Sequence, residues 1–379
     1  VQPGTPATPP ATGGARGGVV RGGAVAHLAA AAKQQIAPEQ VQLAPEEWRK
    51  EAKREIGLPE AKTVIEALLK SLDRGGKLPM VADETFGILT YEKFKMALII
   101  FASLIKELPG ERIGVMLPST TLCDILMYAS MLAGKVPVML NWTLGEANLK
   151  HVIAASEIET VLSAEAFIDK VDELPMDLFD DMLLCVEDLK KRIGLGLKLK
   201  ALRYKNCKAE KLLRCFGIDD RKEDDVAVIL FTSGSENVPK GVPLSNRNLL
   251  NNINGVFVCA KIAADDVLYS FLPPFHSFGL TMTTLMPTIC GIRIAHYPDP
   301  TAYRKLAYGT VKWGATVMGG TATFMKGILR AGKSEMFKTV RLVGVGGEKA
   351  PKELFDLFAV RSPHTCVIEG YGITECSPL

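Results

Sequence analysis

The stretch ILFTSGSENVPKGVPLSNRN, residues 229–248, holds the first residues whose types and spacing can do chemistry. An apolar run delivers Thr232, Ser233, Gly234 and Ser235, and Lys240 follows after a short polar insert. Small side chains let backbone N–H groups and hydroxyls approach phosphate oxygens, and the lysine adds positive charge. The pattern is not G-x-x-x-x-G-K-[ST], because Gly241 follows the lysine and Gly234 is misplaced for it. An ordinary strand-to-turn connection uses the same residue types, so the stretch alone leaves both readings open.

Two further segments bear on that choice. VGVGGEKAP, residues 343–351, reads as a strand ending in the turn Gly346-Gly347-Glu348. EGYGITECSP, residues 369–378, gathers Tyr371, Gly372, Thr374 and Glu375. Tyr371 can stack on a purine, Thr374 can hydrogen-bond a phosphate, and Glu375 is a hard oxygen ligand for Mg²⁺. The plain alternatives are a core tyrosine, a helix N-cap and a solvated acid. His276, in PPFHSFGL, reads alone as a structural histidine and in context as a gate to a pocket rather than a general base. Ser103 and Lys106 match S-x-x-K, but they sit mid-helix with no S-D-N partner, which marks a coincidence.

Other chemistries find little support. The eight cysteines form no C-x-x-C and the five histidines no metal spacing, so a reducing, cytoplasmic setting fits better than a zinc or disulfide framework. A net charge of +3 is too mild for a nucleic-acid binder, and no apolar run is long enough to span a membrane. The segment 190–214 carries ten Lys/Arg against the single acid Glu210, interleaved with leucines. Such a helix can lie at the inner membrane surface as a peripheral contact, dock an acidic carrier protein, or simply be a solvated face.

The elements that position these residues follow an α/β rhythm. Residues 1–44 are rich in Pro, Gly and Ala and read as a disordered leader; 45–81 read as a helical lead-in. From residue 82, apolar strands alternate with helices, as in ERIGVMLP, TLCDILMYASMLAGK and VPVMLN. This predicts a doubly wound, mostly parallel sheet, whose strand ends line a ligand crevice.

In this order, TSGSENVPKG, GGEKAP and YGITECSP resemble the adenylate-forming (AMP-binding) superfamily of acyl-CoA synthetases, luciferases and peptide-synthetase adenylation domains. LTYEKF, LAGKVPVMLN and FLPPFHSFGL match its lesser signatures, so the likeness covers roughly residues 82–379. FTSGSE, PVMLNW and GTATF most resemble bacterial acyl-[acyl-carrier-protein] synthetases, the ligase half of acylglycerophosphoethanolamine acyltransferases.

The resemblance implies the large N-terminal domain of that fold: two doubly wound, mostly parallel sheet subdomains, with the C-terminal swivel domain outside this chain. It implies that Thr232, Ser233, Gly234, Ser235 and Lys240 embrace the phosphates of ATP. Gly346, Gly347, Glu348, Tyr371 and Gly372 would border the adenine, with Thr374 at the α-phosphate and Glu375 on Mg²⁺. His276, Gly279, Gly320 and Thr321 would face the acyl pocket. The implied reaction activates a long-chain fatty acid as acyl-AMP and passes it to acyl carrier protein or, alternatively, to CoA; a non-catalytic nucleotide- or acyl-binding module is the reading from another class. Three departures stand out: Glu236-Asn237 replaces Thr-Gly, Ala322 stands where the subgroup often has Pro, and the family's downstream Asp, hinge and catalytic Lys lie beyond Leu379. On this reading the chain is an incomplete catalyst.

Overall fold

The computed structural model describes residues 38–50, 54–171, 174–232 and 238–378. The leader's residues 1–37 lie outside them, and Pro38–Gln40 form one 3-10 turn. The body of the chain runs from Gln42. In chain order its strands are β1 (Pro79–Asp83), β2 (Gly87–Thr90), β3 (Arg112–Val115), β4 (Val136–Met139), β5 (Val161–Ser163), β6 (Leu183–Cys185) and β7 (Val226–Thr232). They continue with β8 (Lys240–Ser245), β9 (Val267–Ser270), β10 (Arg293–His296), β11 (Val317–Gly320), β12 (Leu342–Val345) and β13 (Cys366–Glu369).

Two sheets result. One has the order β13-β12-β11-β9-β10-β1-β2 and the other β6-β5-β3-β4-β7-β8. Pairing is parallel except for the β1–β2 and β7–β8 hairpins, as the α/β rhythm predicts. Parallel strands covered on both faces need continuous apolar runs, and β9, β10 and β11 are buried throughout. Both hairpins escape the sequence reading. In the first, Asp83 Oδ1 accepts from the N–H groups of Thr85 (2.8 Å) and Phe86 (2.5 Å), the side-chain turn that reverses the chain. In the second, Pro243 and Gly241 disguise β8, a position tolerated because β8 is an edge strand.

Helix Thr121–Leu132 is buried at every residue, and it touches β3 and β4 of one sheet and β1 of the other. A helix apolar all round belongs in an interior, and this one separates the sheets. Thr120 caps it by accepting from Cys123 N (3.2 Å), and Asp83 Oδ2 accepts from Thr121 N (2.9 Å). Its one acid, Asp124, places Oδ2 2.9 Å from Nε2 of His296 on β10. Nδ1 of His296 lies 3.0 Å from Ser119 Oγ, which lies 2.9 Å from Ser270 Oγ. Burial pushes the Asp124 carboxyl above its ordinary range, opposed by the neighbouring His296. This buried polar chain ties the helix and the loop before it to β9 and β10 of the first sheet.

The lead-in and Ala44, the last residue of the leader, pack into the body of the chain. Ala44 is buried and donates from its N–H to Lys312 O (2.8 Å). Trp48 packs edge-on against Trp313 (centroids 5.6 Å apart) and donates from Nε1 to Trp313 O (2.9 Å). Helix Val64–Gly75, capped by Thr63, buries seven side chains. Among the described residues no helix is long and apolar enough to cross a membrane.

Candidate functional site

The first motif forms the β7–β8 hairpin, with Thr232 opposite Lys240. Thr232 is half-buried at the end of its strand and Lys240 is exposed at the start of the next. Ser233, Gly234, Ser235, Glu236 and Asn237 lie outside the described residues. His151 Nε2 lies 3.0 Å from Pro239 O at the returning strand, and Gly241 packs so tightly over Phe231 that a Cβ there would stand 3.2 Å from Cζ of the ring.

The second and third motifs meet at the ends of β11, β12 and β13. Gly346 N donates to Gly320 O (3.2 Å), and Gly370 N donates to Val345 O (2.8 Å). A Cβ on Gly346 would lie 3.3 Å from Gly370 O and 3.4 Å from Phe278 Cε1, so the close approach favours glycine. Gly347 has φ +80°, in the left-handed region where glycine carries no Cβ penalty. Glu348 Oε1 accepts from Thr323 N (2.5 Å) while Thr321 Oγ1 accepts from Phe324 N (3.3 Å), so the two side chains together cap helix Ala322–Ala331. Burial alone would raise the Glu348 pKa, but the hydrogen bonds from Thr323 and Thr321 outweigh it and hold the carboxyl below its ordinary value.

Tyr371 is 88% exposed, its ring free to receive a flat ligand. Thr374 Oγ1 sits 3.4 Å from Ser277 Oγ, which brings this motif against the helix after PPFH. Glu375 is exposed. Among the described residues no three His, Cys, Asp or Glu side chains cluster to hold a metal. A single carboxylate suits Mg²⁺ held mostly by phosphate oxygens and water, so the residues present fit that ion as a companion of a nucleotide.

An apolar cavity of about 180 Å³ opens between these strand ends and the helical segment 277–290. Gly346, Gly347, Gly370 and Gly372 line its mouth; Leu268, Val317, Leu342, Ile262 and Met286 line its depth. From Leu342 to Gly347 is five steps, about 16 Å at ~3.3 Å per strand residue. Thr281–Leu285 is a π-helical turn, a widening that sends Met282 and Thr283 to the cavity.

The anticipated pocket residues are placed differently. Gly319 and Gly344 face the cavity; a Cβ on Gly319 would meet Thr283 Cγ2 at 3.0 Å. Gly320, the next residue, turns to the opposite side of the strand, where Phe271 and Met325 pack. Gly279 lets its helix press on the preceding loop, since a Cβ there would stand 2.3 Å from Pro273 O. Thr321 is the helix cap described above. His276 is exposed, tilted against the Phe275 ring at 4.5 Å between centroids, and the desolvation around it lowers its pKa. Ser277, Phe278, Gly319 and Gly344 went unnoticed in the sequence; the signal was there for Ser277 and Phe278, which directly follow His276. Ser103 donates to Ile99 O (2.8 Å) within its helix and Lys106 to Phe216 O (2.6 Å), with no shared site between them.

Comparison with known proteins agrees with this architecture. The family described as "AMP-binding enzyme" matches residues 71–379. A long-chain-fatty-acid–CoA ligase of Bacillus subtilis is 25% identical over 325 residues, covering 78% of this chain and 56% of the relative. A feruloyl-CoA synthase of Amycolatopsis sp. is 26% identical over 275 residues, covering 71% and 50%. The chain thus spans about half the length of these curated relatives. Among solved structures, a benzoate CoA ligase from Burkholderia xenovorans LB400 superposes with a TM-score of 0.68 at 20% identity, covering 84% of this chain and 62% of that one. VinN superposes with a TM-score of 0.67 at 20% identity, covering 85% and 78%. The matched family takes in all three motifs and both sheets, and the chain belongs to the AMP-binding, adenylate-forming enzymes.

Proposed function

We propose that this chain binds ATP and a fatty acid side by side and supports formation of an acyl adenylate. One observation carries the reading: the apolar cavity is lined at one end by Gly346, Gly347, Gly370 and Gly372, the strand-end segments that also carry the exposed Tyr371 ring and Thr374. The acyl chain would enter this apolar cavity, and its carboxylate would emerge where the phosphates lie. Thr232, Ser233, Gly234, Ser235 and Lys240 would hold the β- and γ-phosphates, with Tyr371 and the Gly346–Glu348 turn along the adenine. Thr374 would orient the α-phosphate. Glu375 would help hold Mg²⁺, which when bound would supply charge neutralisation.

The carboxylate oxygen attacks the α-phosphorus and pyrophosphate leaves. A thiolate then attacks the acyl carbon, and AMP leaves. No protein nucleophile is needed; alignment and fixed dipoles are the protein's contribution. The relatives' names favour CoA as the thiol, whereas the FTSGSE, PVMLNW and GTATF segments favour acyl carrier protein. The test is thermal shift with AMP and with a non-hydrolysable hexadecanoyl-adenylate analogue. The analogue should raise Tm more than AMP does, and the gain should vanish in Tyr371→Ala/Glu375→Ala. No shift at saturating analogue, or an undiminished shift in the double variant, overturns the reading.

A further inference from the structure

The basic segment 190–214 resolves into helices Val186–Lys191, Leu195–Tyr204 and Ala209–Phe216. The middle one packs on helix Tyr91–Ile105 through buried Ala201, with half-buried Leu197 and Tyr204 on the same side. Its other side is unusual. Leu195, Leu199 and Leu202 are 72%, 56% and 51% exposed. At 3.6 residues per turn they fall within about 60° of one face. Other exposed aliphatics, such as Val258 and Val360, stand singly, which is ordinary for a soluble surface; a contiguous leucine stripe is not.

Cations border the stripe. Lys198 and Arg203 lie on its two flanks, both exposed, and Arg192, Lys208 and Lys211 extend the charge along the neighbouring elements. Among the described residues Arg192, Lys198, Lys208 and Lys211 have no carboxylate partner. Inner-side lysines are used otherwise. Lys205 pairs with Glu92, and Lys200 sits 5.1 Å over the Phe216 ring. The segment is also fastened down: buried Lys95 reaches Asp73 and Cys207 O, both at 2.6 Å, while Asp73 Oδ2 accepts from Ala209 N (2.9 Å). A stiff mount therefore holds the stripe outward.

We propose that the Leu195–Tyr204 face docks on an anionic lipid bilayer, the leucines entering the headgroup–acyl boundary and the flanking Lys/Arg pairing with lipid phosphates. Charge alone would suit an acidic protein equally. The three outward leucines select the bilayer, because apolar insertion between cations is the signature of an interfacial helix. The inference is independent of the acyl-adenylate reading, since no residue of this face lines the cavity.

The test is co-sedimentation with vesicles of phosphatidylethanolamine and phosphatidylglycerol, against phosphatidylcholine alone. Binding should require the anionic lipid and weaken with salt. Lys198→Gln/Arg203→Gln should lower vesicle affinity about 25-fold, at about fivefold per cation. Leu195→Gln/Leu199→Gln/Leu202→Gln should lower it about tenfold or more. All five side chains are exposed, so Tm and analogue binding should hold in both variants, which separates this proposal from the proposed function. No binding of the unaltered chain to anionic vesicles overturns the proposal. So does binding that the leucine variant retains in full; capture of purified acyl carrier protein lost in the charge variant would then assign the face to an acidic protein.

Discussion

Gly344 gives the sharpest lever on the cavity. It sits within β12 with the cavity before it, and among the described residues an added Cβ would meet nothing nearer than Phe278 Cζ at 4.0 Å. Its backbone is not in the left-handed region, so Gly344→Leu costs no strain and gains strand propensity. The four new carbons must then occupy space within a cavity of about 180 Å³. If they displace three acyl methylenes, at ~0.8 kcal/mol per buried CH₂, a long chain loses about 2.4 kcal/mol, roughly 50-fold in Kd. A short chain, which never reaches that depth, loses nothing. Isothermal titration with butanoyl- and hexadecanoyl-adenylate analogues measures both. Equal weakening of the two, or no weakening of either, would refute the placement of the acyl chain.

Other consequences follow from particular contacts. Glu348→Ala removes the clip on Thr323 and should lower stability by about 1 kcal/mol or less, by the scale of N-terminal caps, in urea unfolding at neutral pH. Because the folded-state pKa of Glu348 is lowered from 4.5, its contribution is present above that pH and fades as pH falls below it; the difference between wild type and Glu348→Ala should shrink accordingly. Asp124→Ala leaves Nε2 of His296 without its partner in the interior and should cost about 1–3 kcal/mol, read as a lower urea midpoint. Gly279→Ala drives a Cβ to 2.3 Å from Pro273 O and should cost about 1–3 kcal/mol, with weaker analogue binding as the helix shifts from the cavity.

Much of the scaffold was legible because a parallel sheet needs buried apolar strands, and ERIGVMLP and VPVMLN announce them. β8 was hidden because an edge strand tolerates the Pro and Gly that elsewhere break strands. The cavity-facing glycine was hidden for another reason. Successive strand residues alternate faces, so GATVMGG does not tell whether Gly319 or Gly320 looks into the cavity until the covering helix is known. The Asp124–His296 contact joins residues 172 positions apart, and no local pattern marks it. The fold told which motif residues hold the backbone, as Thr321 and Glu348 do.

A crystal structure with a non-hydrolysable hexadecanoyl-adenylate analogue tests the central claim most directly. The acyl chain should run from Gly346 past Gly344 and Gly319 toward Leu342 and Val317, with the adenine against Tyr371 and the phosphate mimic at Thr374. An acyl chain bound anywhere else, with the cavity left to solvent, would contradict the account.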